Sequence, residues 1–429
     1  MKNRILVGAV ALVSSVTLSG CGYFSGSGGG DRTVTVWLMK DSVSSGFLEK
    51  FTSSYEKENP SIELEFKIQE WSGIGPKVLD ALESDDAPDV IEVGNTQVAQ
   101  YAESGGLRDL TLESMRDLGS EDWLPGLAQP GQISGVQYGI PWYAANRVVI
   151  YNKETFKDAG ITDVPKTRAE WLKTTEKLNT QGQQGIYLAG QNWYVLAGFI
   201  WDEGGELAEG GGGDWRGTLD TPEALAGMNF YKELQALGDG PMDSDEEKPP
   251  QNDVFAEGDV AQIISLPGSA ALIEQKNPEL KGKLGYFPIP GKTAKAPGSV
   301  FTGGSDLIVP KNADQRSAGI AVVKALASEK WQTELARSMS YVPNKPKLAH
   351  VVEGEEGTAA MAEGASQGRA TPNSSQWAKV EAENPIKPYM TAVLTGADPA
   401  AGEHGRDALR RLRRRRGRVG AREHRRHVR

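Results

Sequence analysis

Aromatic rings at positions that read as loops are the first chemistry this chain offers: Trp71, Trp142, Tyr143, Trp193, Tyr194, Trp201, Trp215 and Trp377. A flat ring packs against the apolar C–H face of a pyranose, while neighbouring amides, acids and hydroxyls hydrogen-bond the sugar's hydroxyl groups. Core packing is the competing reading, and it is stronger for Trp37, Trp171 and Trp331, which fall in regular elements. The adjacent pairs Trp142-Tyr143 and Trp193-Tyr194 stand beside turn residues and suit a cleft wall better than a helix face.

Patterns that would carry catalysis are present only as fragments. Gly364-Ala365-Ser366-Gln367-Gly368 has the spacing of a serine-hydrolase elbow, which requires a strand before the serine and acid and histidine partners after it. Residues 358–363 read as helix instead, and the downstream histidines His404, His424 and His427 all lie in an arginine-rich tail. A secreted glycosidase or esterase is therefore the lesser alternative to a protein that binds without bond cleavage. Gly285 and Gly291-Lys292-Thr293 approach a P-loop, but one extra residue separates the glycines, and Pro288 and Pro290 block the helix that must follow. Asp243, Asp245 and Glu246 lack the glycine of a calcium loop. No cofactor or metal is expected.

The chain has 429 residues and a net charge of −10, unevenly spread. Residues 404–429 hold twelve arginines against Asp407 and Glu423, whereas positions 21–403 carry 33 bases and 55 acids, a net of −22. So acidic a body argues against nucleic acid as partner, since phosphate binding needs a basic face. Its length exceeds the roughly 250 to 300 residues at which one core stops growing, which implies two lobes. Cys21 is the lone cysteine, which excludes an intrachain disulfide. It follows a basic start, an apolar run and Leu18-Ser19-Gly20, the pattern of a lipoprotein signal over residues 1–20 with lipid attached at Cys21. Residues 21–32 read as a flexible tether.

Positioning falls to an alternation of strands and helices. Val34, Val36 and Leu38 alternate with Thr33, Thr35 and Trp37, as do Ile62, Leu64, Phe66 and Ile68 with Glu63, Glu65 and Lys67. Phe47, Leu48, Phe51 and Tyr55 share a helix face between them, and residues 89–93 form a short buried strand. Strands separated by helices predict parallel pairing in an open α/β sheet. Ligands of such sheets sit beyond the carboxyl ends of the strands, which selects Lys40, Asp41 and Ser42 after the first strand and Gly94, Asn95, Thr96 and Gln97 after the third. A lobe crossover is placed near Tyr143, and a second α/β region follows with helices over 167–179 and 222–237 and a strand over 260–266. Residues 239–253 read as a solvated acidic loop, 300–310 as a strand, and 317–338 as one long amphipathic helix.

The lipobox, Val34-Thr35-Val36-Trp37, the run from Pro88 to Gln97, Ile150-Tyr151-Asn152-Lys153, Gly303-Gly304-Ser305 and Tyr341-Val342-Pro343 together resemble the family 1 extracellular solute-binding proteins of ABC importers, the relatives of maltose-binding protein. The resemblance covers about residues 18–400 and is closest to the chitobiose- and oligosaccharide-binding lipoproteins of high-GC Gram-positive bacteria. It implies a type II, two-lobed periplasmic-binding-protein-like α/β fold whose hinge is crossed three times, with the ligand cleft between lobes. Lobe 1 is expected over 33–143 and 299–345, lobe 2 over 144–298 and 346–399. The family's binding positions fall on Lys40, Asp41, Asn95, Thr96, Gln97, Asn192, Trp193, Tyr194, Gly268 and Ser269. Trp377 corresponds to its C-terminal aromatic, and Gly303, Gly304, Ser305 and Asp306 are expected to bring backbone close to the ligand. With Trp71, Trp142 and Tyr143, these residues make the candidate sugar site. The implied partners are a di- or oligosaccharide and membrane permease subunits, with the protein a monomer held outside the cell by its lipid. Residues 402–429 depart from the family's neutral or acidic ending; their Arg-rich composition reads as a frameshift or misread gene end, or else as a basic tail for anionic headgroups.

Overall fold

A computed structural model describes residues 32–211, 214–371 and 375–398. Cys21, the signal segment, the tether and the arginine-rich tail lie outside these residues, as does the side chain of Trp215.

The first layer grows from the predicted alternation. Strand β1 (Arg32–Met39) buries Val34, Val36 and Leu38 on one face. Helix α1 (Ser45–Glu58) is capped by the Ser44 side chain, which accepts from the Phe47 N–H, and it buries Phe47, Phe51 and Tyr55. Strand β2 (Ile62–Gln69), helix α2 (Ile74–Glu83), strand β3 (Val90–Gly94) and helix α3 (Val98–Glu103) complete the unit. β1 pairs in parallel with both β2 and β3. The parallel rule stops there. Strand β4 (Ile140–Asn146) and a long strand that returns from the far side of the molecule, Val300–Ile308, are antiparallel to each other, and the latter is antiparallel to β3.

The second layer has a small antiparallel sheet centred on β5 (Val148–Asn152), flanked by β6 (Gln262–Ser265) and β7 (Leu284–Pro288). Helices α4 (Arg168–Leu178), α5 (Trp193–Asp202) and α6 (Pro222–Gln235) cover it. A capping box between Thr167 and Glu170 starts α4, and Pro222 follows the Thr221 cap of α6. Helices α7 (Gln251–Ala256) and α8 (Ser269–Lys276) flank β6 in sequence. Only Arg147 separates β4 from β5, so one continuous extended segment joins the two sheets. The returning strand, β8 (Val300–Ile308), is the second link, pairing Thr302 with Asn146 at one end and Ile308 with Ile91 at the other.

Three expectations change. The long helix over 317–338 is two, α9 (Arg316–Leu326) and α10 (Glu329–Met339), because Ser328 adopts extended geometry between them. Trp142 and Tyr143 lie within β4, and Trp193, Tyr194 and Trp201 lie within α5, so none of these rings is on a loop. Past strand β9 (Val342–Pro343) and helix α11 (Glu356–Ala365), helix α12 (Ser375–Glu383) packs on α3 of the first layer while Trp377 meets Trp193 of the second. Helix α13 (Ile386–Leu394) then lies against α5 and α6.

The second core is organised around Trp171, whose ring is fully buried and whose Nε1 donates to Gln262 Oε1 at 3.0 Å. Gln262 in turn donates to Thr175 Oγ1 at 2.8 Å and to the Gly185 carbonyl at 2.9 Å. Truncation at Trp171 would leave a large cavity and an unpartnered amide oxygen. Trp171→Ala is therefore expected to cost about 3 to 5 kcal/mol, read as a lowered urea midpoint in equilibrium unfolding.

Candidate ligand cleft

Between the two layers lies a cleft of about 610 Å³. Its floor is organised by Glu92, an acid in the middle of the buried strand β3. The Met39 N–H and the Ser42 hydroxyl each donate to its carboxylate at 2.8 Å, and the Tyr143 hydroxyl donates at 2.9 Å. Ser305 Oγ donates to Tyr143 at 3.0 Å, and the Tyr143 ring stacks on Tyr341 with centroids 4.1 Å apart. Burial pushes the Glu92 carboxyl up, and these donors pull it partly back.

Three loops at the carboxyl ends of β1, β2 and β3 form the first wall, as the open-sheet rule requires. They bring Lys40 and Asp41, Trp71, and Asn95, Thr96 and Gln97. Asp41 holds a left-handed backbone, φ 63°, an uncommon conformation for a residue with a Cβ. Gly303 and Gly304 of β8 line the floor, where a Cβ on Gly304 would stand 2.4 Å from the Tyr143 carbonyl, so only glycine allows the two linking strands to approach. The second wall is Trp193 and Tyr194 at the start of α5, the segment from Asp245 to Asn252, and Ser265 and Ser269.

Polar contacts cross the cleft directly. Asn252 Nδ2 donates to Asp41 Oδ2 at 3.3 Å, and the Ser72 N–H donates to Glu247 Oε2 at 3.2 Å. Glu381 on α12 accepts from Thr96 Oγ1 and from the Tyr194 hydroxyl, both at 2.9 Å, so one carboxylate ties loops of both layers together. Burial pushes Glu381 up and holds the Tyr194 hydroxyl well above its ordinary value. Arg147, the residue between β4 and β5, lies over the Tyr194 ring at 4.6 Å and pairs with Glu246 at 2.9 Å. The lining holds six acids (Asp41, Asp245, Glu246, Glu247, Glu381, Glu383) against Lys40, Arg147 and Lys387. That balance disfavours anionic ligands.

Of the sequence-selected residues, Lys40, Asp41, Trp71, Asn95, Thr96, Gln97, Tyr143, Trp193, Tyr194, Ser269, Gly303, Gly304 and Ser305 line the cleft. Five do not. Trp142 alternates to the opposite face of β4, where its ring is fully buried and its carbonyl accepts from Gln332. Asn192 is spent as the cap of α5, its Oδ1 accepting from the Val195 N–H. Gly268 abuts the Met339 carbonyl, and Asp306 is turned beneath the floor against Gly139, past a register shift after Ser305. Trp377 is 4% exposed, with its ring 6.4 Å from that of Trp193. The acidic segment over 239–253, read as a solvated loop, instead supplies Asp245, Glu246, Glu247, Gln251 and Asn252 to the wall. Asp245 and Glu246 pair with Lys387 and Arg147 there, and among the described residues no group of acids or histidines could hold a metal ion. Ser366 follows helix α11 and donates to the Glu363 carbonyl, which is helix-end chemistry and not a nucleophile elbow. Sequence signals for the missed residues were slight: an arginine interrupting an apolar run for Arg147, and nothing beyond composition for Glu247 and Glu381.

The family model for bacterial extracellular solute-binding proteins matches residues 40–333. The chain belongs to that family. It is 36% identical over 410 residues to the diacetylchitobiose-binding protein DasA of Streptomyces coelicolor, covering 93% of this chain and 96% of that one. In structure, it superposes on an ABC transporter solute-binding protein of Thermotoga lettingae bound with α-D-tagatose with a TM-score of 0.79 at 21% identity, covering 89% of this chain and 98% of that one. It also superposes on the GacH receptor of Streptomyces glaucescens, solved unliganded and with acarbose, with a TM-score of 0.76 at 24% identity, covering 89% and 98%. The fold of this solute-binding protein is thus the two-lobed type II architecture, and its relatives are receptors, not enzymes. Among the described residues no helix is long and apolar enough to cross a membrane.

Glu247 gives the cleft a measurable pH signature. Burial, then the neighbouring Asp245 and Glu246, push its carboxyl from 4.5 up to about 7. Between those values the folded protein holds a proton that the unfolded chain has released, so this residue's contribution to stability falls as pH rises through the window. Glu247→Gln should raise the thermal midpoint at pH 8, with the gain shrinking at pH 5, as scanning fluorimetry at both values would register.

Proposed function

We propose that the solute-binding protein captures a di- or oligosaccharide, with a chitobiose-like ligand favoured, and delivers it to the permease subunits of an ABC transporter. Cys21 would carry a lipid that holds it on the outer face of the cytoplasmic membrane. The lobes would be 33–143 with 299–345 and 144–298 with 346–399, closing about the strands β4 and β8. The observation that carries the reading is the composition of one cleft: indole and phenol rings of Trp71, Trp193 and Tyr194 beside the amides, hydroxyls and acids of Asn95, Gln97, Ser269 and Asp41. Rings for the apolar face and short polar side chains for the hydroxyls are the two requirements of pyranose recognition. The similarity to a diacetylchitobiose-binding protein over nearly the whole chain supports the same class. Cross-lobe hydrogen bonds such as Asn252 to Asp41 support closure that a ligand favours by touching both walls.

Trp71 is the cleaner probe of stacking than Trp193, because Trp193 is 3% exposed and truncating it would also open the core. In isothermal titration against diacetylchitobiose, cellobiose, maltose and their monomers, one disaccharide should bind clearly. Trp71→Ala should weaken that binding by about tenfold or more with little change in thermal midpoint. Absence of binding to every sugar would overturn the reading.

A further inference from the structure

Among the described residues, two of the six acids that line the cleft have ion-pair partners and Glu381 is held by Thr96 and Tyr194, which leaves Asp41 and Glu247, with the exposed Glu383, lacking an ion pair of their own. Asp245 is paired with Lys387 at 2.6 Å, Glu246 with Arg147 at 2.9 Å, Asp253 with Lys276 at 2.5 Å and Glu70 with Lys40 at 3.2 Å. Asp41, from the loop after β1, and Glu247, from the opposite wall, share the field of Lys40 with Glu70, and Glu247 also feels Lys387. Burial lowers the Lys40 ammonium, but Glu70, Asp41 and Glu247 together outweigh it and hold the group above its ordinary value. Acids on facing walls of a cleft either keep a proton, as burial and its acidic neighbours make Glu247 do up to about pH 7, or take a positive partner.

Asn252 supplies a second, independent sign. It lines the cleft beside Asp41, is nine-tenths buried, and donates Nδ2 to Asp41, yet its carbonyl Oδ1 has no donor. A buried acceptor of this kind calls for a donor from a ligand. Here, then, are acceptors that carry two negative charges once Glu247 has lost its proton, with Lys40 as the one cation they share. A hydroxyl would satisfy one acceptor and leave the charge. An anion would be repelled. A metal ion would need a tighter set of acids than the described residues provide. An alkyl ammonium has three donors, no acceptor and the required charge. Trp71 precedes Ser72, whose N–H meets Glu247, so an indole also borders this end of the cleft and attracts cations over its face.

We infer that the end of the cleft formed by Asp41, Asn252 and Glu247 receives a free ammonium group, so that the ligand class includes an oligosaccharide carrying an unacetylated 2-amino sugar. This deepens the sugar-receptor reading and rests on it. An N-acetyl group at the same place would bring one N–H donor, a methyl and no charge, leaving both carboxylates uncompensated.

The test is isothermal titration of the full chain with three disaccharides of one linkage: the doubly N-acetylated form, the form with both amines free and protonated, and cellobiose. The free-amine form is expected to bind about tenfold tighter than the N-acetylated one. That ratio should shrink in high salt and in Glu247→Gln and Asp41→Asn. The wild-type ratio needs no variant, so a misfolded mutant cannot obscure it. Binding of the N-acetylated or nitrogen-free sugar as tightly as the free amine, or more tightly, would overturn the ammonium subsite while leaving the sugar receptor standing. Failure of all three, together with the wider panel, would overturn the receptor reading and this inference with it.

Discussion

A carboxylate shut away from water holds the cleft together. Glu92 sits in the middle of β3 with no exposed surface, and its burial would be strongly unfavourable without the donors that surround it. Those donors come from separate parts of the chain: the backbone of Met39 at the end of β1, Ser42 in the loop beyond it, and Tyr143 in β4, which Ser305 of β8 supports in turn. The first ligand loop and both strands that link the two layers are therefore registered against one atom group. Removing any one donor leaves a buried charge short of a partner, a loss larger than the hydrogen bond alone.

The two walls of the cleft are joined by a different kind of contact. Gly304 lets β8 approach the Tyr143 carbonyl of β4, and the walls above then meet through side chains from the two layers. Glu381 is the most connected of these, because its two oxygens reach Thr96 on one side and Tyr194 on the other. Helix α12 thus acts as a clasp laid over one end of the cleft, far in sequence from the loops it joins. Since the lining is acidic overall and its bases are already paired, the interior is shaped by hydrogen-bond acceptors more than by cations.

Much of this was legible in residue order. The alternations in β1 and β2, the helix face of Phe47, Leu48, Phe51 and Tyr55 and the short buried strand over 89–93 predict the first layer and, through the rule for open sheets, the ligand loops after β1 and β3. The aromatic pairs were found but their settings were not. Trp142 and Tyr143 are neighbours in a strand, so period-two alternation turns one ring to the cleft and the other to the core. Asn192 has the right chemistry for a ligand but the helix start claims it first. Glu92 was passed over within the short buried strand, and its role arises from donors that folding brings from β1, its following loop and β4.

By itself the sequence determined the class of the protein: two α/β units, a lone cysteine after a signal-like start, an acidic body, and motifs placing it among solute-binding proteins. Those properties follow from local periodicity, composition and motif spacing, which need no knowledge of distant contacts. Only the tertiary structure decided which acids matter. Glu247 and Glu381 sit in segments with no distinguishing local pattern, and their roles arise from partners such as Ser72, Thr96 and Tyr194, which lie far away along the chain. Charge compensation is a property of three-dimensional neighbourhoods. Whether a carboxylate is neutralised, like Asp245 by Lys387, or left facing the cleft, like Asp41, is set by which side chains folding brings within a few ångströms of it.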